Sequence, residues 1–382
     1  MKDPTALLRR HAPKIVYDSQ EAYFADSAAE WTDNPGNVLV RQKGEVIAAA
    51  TPASGQAQLS LDFLGPAAYD QVSAADAIGD PGHDYGRQYA RLHPQKRYRN
   101  RIYGRAATDR KGGLWLQYWF WYFYNDASFL GFGLHEGDWE MIQLRIGDGG
   151  RPDMAVYAQH RHAGSRQWSE VEKAPGSDDV PVVYSARGSH ASYFETGSPW
   201  TGVWFDHADG KGAAPDLTLE VVGDDDPPWV AWPGHWGGTR ARDVAESDSP
   251  TAPSQHTQWR DALHLLDTAE SHDIAPPAPP PGRPPPTPTV KARRVGDALE
   301  IDYSAPAPAD GPAPTQLVVN LNSPDDSLPP HSHAVAIDSE TGTVRVPVAL
   351  EAGQSYEVSV SAGNELGASD SVAHSIGGKS GA

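Results

Sequence analysis

Apolar and polar positions along this chain fall into short runs separated by Gly-, Pro- and Asp-rich punctuation, the pattern of β-strands rather than of long helices. In the first two thirds the runs predict strands at Lys14–Tyr17, Val46–Ala50, Leu59–Phe63, Leu114–Tyr124, Asp138–Ile146, Met154–Gln159, Val180–Ser185 and Leu217–Val222. Trp259, Ala262, Leu263 and Leu266 recur at helical spacing and predict one short helix over Thr257–Leu266. Towards the C-terminus, alternation in Leu299–Tyr303, Leu317–Leu321, Val344–Val346 and Tyr356–Val360 predicts a small β-sandwich. Between the two regions, Ala275–Pro288 is dominated by proline. Its fixed φ and missing donors make a semi-rigid polyproline II spacer. The chain therefore divides into a large, mainly β domain (1–273), a proline-rich linker (274–288) and a small β domain (289–382).

Composition sharpens this division. All 12 Trp precede the linker, and there is no Cys, which excludes disulfides, thiolate metal sites and cysteine nucleophiles. The net charge of −19 divides as 26 basic against 38 acidic residues up to position 288, and 5 against 12 beyond it. Such a balance weighs against nucleic-acid binding and against simple docking on anionic lipid. No apolar stretch has the length of a signal-peptide core or a transmembrane span, since Leu114–Tyr124 is too short and aromatic rather than aliphatic. The expectation is a soluble protein, cytoplasmic as synthesised or secreted by a leaderless route.

Phosphate-binding loops, nucleophile elbows and zinc-protease helices are absent. The informative stretch is Leu134–Leu144, where Asp138 and Glu140 share one face of a strand, with Trp139 and Ile142 set differently towards the core. His135 precedes Asp138 by three residues across Gly137. If the strand ending at Tyr124 pairs with this one, Asp126 returns to the same place. A set of Asp126, His135, Asp138 and Glu140 suits a divalent cation, Mg²⁺ or Ca²⁺ first, with Mn²⁺ and Zn²⁺ as alternatives. Ser189 and His190 follow a buried-looking strand on a glycine turn, and His160 and His162 share a face if that segment is extended. Ser189, His190 and His160 are candidate ligand-binding groups. Were the site hydrolytic, Glu136 and His190 would be its candidate bases.

His135-x-x-Asp138-Trp139-Glu140, with the upstream Trp121-Tyr122-Phe123-x-x-Asp126, resembles the metal-site region of the necrosis- and ethylene-inducing peptide-like cytolysins. That resemblance implies a β-sandwich holding a divalent cation at those four positions, although Gly137 stands where the family has a second His. Arg10–Phe24, Ala158–His160 and Val182–Phe194 are similar to the vacuolar protein sorting-associated protein 62 family, over about residues 8–260. The last 95 residues or so, with Leu350-x-x-Gly353-x-x-Tyr356 as a tyrosine corner, resemble a fibronectin type III module. The implied protein is a large β-sandwich followed by a small fibronectin-like one. Its expected function is divalent-metal-dependent recognition of a glycan or glycolipid headgroup. A metal-assisted hydrolase and a cytolysin-like membrane-damaging effector are the alternatives.

Overall fold

The computed structural model describes residues 3–41, 44–65, 73–81, 85–126, 134–199, 201, 206–224, 226–238, 249–270, 285–296, 298–322, 331–350, 353–364, 367–369 and 371–377. Most of the proline-rich linker lies outside these residues.

The large region is built on a six-stranded sheet. Its strands are β1 (Arg101–Thr108), β2 (Leu114–Asn125), β3 (His135–Ile146), β4 (Pro152–Gln159), β5 (His162–Gln167) and β6 (Thr218–Val221), in spatial order β5-β4-β3-β2-β1-β6. All neighbours are antiparallel except β6, which runs parallel to β1. The aromatic run LWLQYWFWYFYN is β2, and all but its first residue are buried. Alternation explains how so apolar a strand is used, because both of its faces are covered. Trp115, Trp119, Trp121 and Phe123 enter a core that holds nine tryptophans, while Leu116, Tyr118, Phe120 and Tyr122 enter a second core on the other face.

A five-stranded sheet that includes Val38–Val40 and Ala77–Gly79 adds Leu39 and Ile78 to the tryptophan core, as the helix Tyr85–Leu92 adds Tyr85, Tyr89 and Leu92. The second core is closed by the helix Pro4–Arg10 and by a small sheet in which Lys14–Tyr17 pairs in parallel with Val182–Ser185. The C-terminal residues form their own two sheets around a separate core containing Leu299, Ile301, Leu317, Val319, Tyr356 and Val358. The protein is mainly β throughout.

Several expectations change in detail. Leu59–Phe63 is not a strand; a 3₁₀ turn occupies Asp62–Leu64. The expected helix is two, Thr257–Arg260 and Leu263–Glu270. Asp261 is extended between them, and its carboxylate accepts from Leu263 N–H to start the second. Among the described residues no helix is long and apolar enough to cross a membrane.

Candidate functional site

β2 and β3 pair antiparallel, with Asn125 opposite His135 and Tyr122 opposite Asp138. Asp126 therefore lies at the end of the sheet where β3 begins. In an unbroken strand, His135 and Asp138 would point to opposite faces. Gly137 changes this with a left-handed φ of 67°. Glu136 turns to the tryptophan side, where its carboxylate accepts from Asp80 N–H (3.0 Å) and Gly238 N–H (2.9 Å). His135 instead lies within electrostatic reach of Asp138, His190 and His160. Ile142 belongs to the core on the Asp138 and Glu140 side, correcting the expectation that it would fall away from them. Strand parity requires this.

His190 is the hub of the site. Fully buried, it stacks on Tyr122 with centroids 3.9 Å apart and planes 5° from parallel. Its Nδ1–H donates to Asp138 Oδ2 at 2.9 Å, and Nε2 stands 3.6 Å from Glu21 Oε1. Burial alone would lower its pKa, yet the Glu21 and Asp138 carboxylates push it up to about 10. Glu21 is pinned by Tyr23 N–H and Gly188 N–H, both at 2.8 Å. Asp126 is exposed, but protein crowding its carboxylate and the nearby Glu21 charge raise its pKa to about 6. Glu140 is raised well above its ordinary value by burial and by Asp138. Carboxyl groups thus outnumber the one imidazolium here, and burial favours the protonated form of Glu140.

The His135 ring is oriented from behind. Its Nδ1–H donates to the Gly137 carbonyl at 2.7 Å, and burial keeps it neutral by lowering its pKa. Nε2 therefore carries the lone pair, and the Asn125 amide now donates to it at 3.1 Å. A histidine fixed by a backbone carbonyl through one nitrogen presents the other as metal-binding histidines do. The chemistry of the donor set fits a hard divalent cation. Among the described residues, however, no group of three or more acidic or His side chains stands arranged to hold a metal ion.

His160 and His162 do not share a strand face. Gln159 pairs with His162 across a two-residue hairpin turn, in which His160 is left-handed at φ 57°. This turn aims His160 Nε2 at Asp206 Oδ2 (2.8 Å). Ser189 Oγ–H (2.9 Å) and Tyr193 O–H (2.6 Å) donate to the same carboxylate. Ser189 is thus bonded to a carboxylate rather than to an imidazole. The Asp206 cluster adjoins an open groove of about 510 Å³, lined by residues that include Gln159, Arg166, Tyr193, Phe194 and Ser198. Glu21 and Asp206 carry no local motif, since each reaches the site through folding rather than spacing.

The Asp206 pair yields a pH prediction. Burial opposes protonation of His160, but the bond to Asp206 outweighs it and raises the pKa above 6.5. The stabilisation from His160⁺ is complete below pH 6.5 and is lost as pH rises through the folded value. Asp206 is held below 3.8 despite its burial by His160, Tyr193 and Ser189. Its contribution is present above pH 3.8 and lost as pH falls through the folded value. An NMR titration of the His160 ring should give a midpoint above 6.5 that drops in Asp206→Asn.

A scan of protein-family models found no match, and neither did a search of curated proteins, so the resemblance to the vacuolar protein sorting-associated protein 62 family is not supported. Among solved structures, this chain is similar to Necrosis and Ethylene inducing Protein 2 from the causal agent of cocoa's Witches Broom disease. Identity is 15%, covering 56% of this chain and 72% of that one, with a TM-score of 0.26. It is also similar to NLPPya in complex with mannosamine, at 16% identity over 58% and 74% of the two chains and a TM-score of 0.29. A third structure, of FN3tt mut, matches at 20% identity over 24% of this chain and 93% of its own, with a TM-score of 0.18.

Proposed function

We propose that this protein recognises a glycan or a glycolipid headgroup through a divalent cation held by Asp126, His135, Asp138 and Glu140. The observation that carries the reading is the turn at Gly137. It brings His135 to the side of Asp138, with Nε2 unprotonated and its ring braced by a backbone carbonyl. A cation there would neutralise the carboxylate excess and offer coordination positions to sugar hydroxyls, as oxygen-liganded Mg²⁺ and Ca²⁺ do. The polar groove beside Asp206 is the natural continuation for the rest of a hydroxyl-rich ligand, with Tyr193 touching both. Glu136 takes no part in this role, because its carboxylate is engaged on the other face by Asp80 N–H and Gly238 N–H.

Thermal melting with Ca²⁺, Mg²⁺ or Mn²⁺ tests the proposal. At a hundredfold excess over Kd the ion should stabilise by about 2.7 kcal/mol, and Asp138→Asn should abolish the effect. Mannosamine should then bind with the ion and not in chelator. An unmutated protein whose melting ignores millimolar ion would end the proposal.

The His135-x-x-Asp138-Trp139-Glu140 run also favours a second reading, membrane damage of the cytolysin type through the same ion. It expects dye leakage from glycolipid vesicles that Glu140→Ala abolishes. Sugar binding without leakage would leave recognition alone.

A further inference from the structure

The bulk charge conceals a local reversal. From Tyr85 to Thr108 the chain carries seven Arg or Lys and no Asp or Glu, within a protein of net charge −19. This segment comprises the helix Tyr85–Leu92, the turn that follows and β1. Buried anchors hold it in place. Tyr98 is fully buried and its carbonyl accepts from Ser27 N–H at 2.8 Å. Asp26 accepts from Asn100 N–H (2.7 Å) and from His93 Nδ1 (2.8 Å).

On this frame Arg91, Lys96, Arg97 and Arg99 are exposed. Arg97 meets Glu30 at 3.0 Å. The other three side chains make no ion pair or hydrogen bond among the described residues. On a surface so rich in carboxylates, pairing would be easily satisfied, yet these three cations go without it.

The position of the cations matters as much as their number. β1 begins at Arg101 and pairs antiparallel with β2, Tyr103 lying opposite Trp119. The basic turn therefore arrives at the end of the sheet where β2 finishes and His135 begins β3. A duplex polyanion long enough to bind by its charge engages six or more phosphates, and beyond these four residues it would meet the acidic remainder. A bilayer presses on one end of the molecule, and mobile anionic lipids can gather beneath the three cations left without an ion pair there.

We propose that the Arg91–Arg99 turn docks the protein on the phosphate headgroups of an anionic bilayer. This proposal does not depend on the cation site. Flotation of the full chain, in chelator, with phosphatidylcholine vesicles containing or lacking phosphatidylglycerol tests it. Binding should require phosphatidylglycerol and weaken as salt rises. Each basic residue near such a surface is worth roughly fivefold in partitioning, so Arg91→Gln/Lys96→Gln/Arg99→Gln together should cost roughly a hundredfold. The melting temperature should not change, since all three are exposed. Flotation independent of phosphatidylglycerol, equal flotation of the triple variant, or capture by duplex DNA but not by vesicles would each overturn the proposal.

Discussion

Gly137→Ala is expected to destabilise the large domain by roughly 4 kcal/mol, on the order of 10 °C in melting temperature. Two costs combine. An added Cβ would stand 2.1 Å from the Trp236 carbonyl oxygen and 2.2 Å from the Trp121 ring, so backbone and indole must both move. The left-handed φ adds about 1–2 kcal/mol for any residue with a Cβ. Gly55→Ala separates the two, because Gly55 is also left-handed, at φ 87°, but has nothing within 4 Å of the added atom. It should cost only the conformational part. If the two variants melt alike, the close packing assigned to Gly137 is wrong. Gly137→Ala should also disturb the proposed cation site, since Glu136 and His135 are sent to opposite faces at this residue.

His190→Ala should cost about 3–5 kcal/mol, the range for removing one partner of a buried charge pair. His190 stands between Asp138 and Glu21, and both carboxylates lose their counter-charge with it. The stacking on Tyr122 goes as well. Denaturant unfolding measures the cost, and Glu21→Gln in the same background should recover part of it by deleting one of the stranded charges. A double variant no more stable than His190→Ala would mean that packing, not charge, is what His190 provides.

Much of the scaffold was legible in sequence because strand periodicity is local. Lys14–Tyr17 is found with the expected bounds, and Leu114–Tyr124 extends by a single residue. The helices Pro4–Arg10 and Ala28–Thr32 escaped because they are too short to show a period, although Asp3 and Ser27 cap them. At the site, the His135, Asp138 and Glu140 run could be read from spacing. Its geometry could not, because parity places His135 and Asp138 on opposite faces until the φ of Gly137 is known. Glu21 and Asp206 lie far from that run in sequence, and only the folded loops deliver them. The whole-chain charge hid the Arg91–Arg99 turn, since a sum has no position.

The proposed site places a divalent cation among Asp126, His135, Asp138 and Glu140. Anomalous diffraction from a crystal soaked in Mn²⁺ tests it most directly. One strong peak is expected at ligand distance from these four side chains, with Asn125 withdrawn from His135 Nε2, and no such peak in Asp138→Asn. A Mn²⁺ peak elsewhere on the protein, with the Asn125–His135 bond intact, would contradict it.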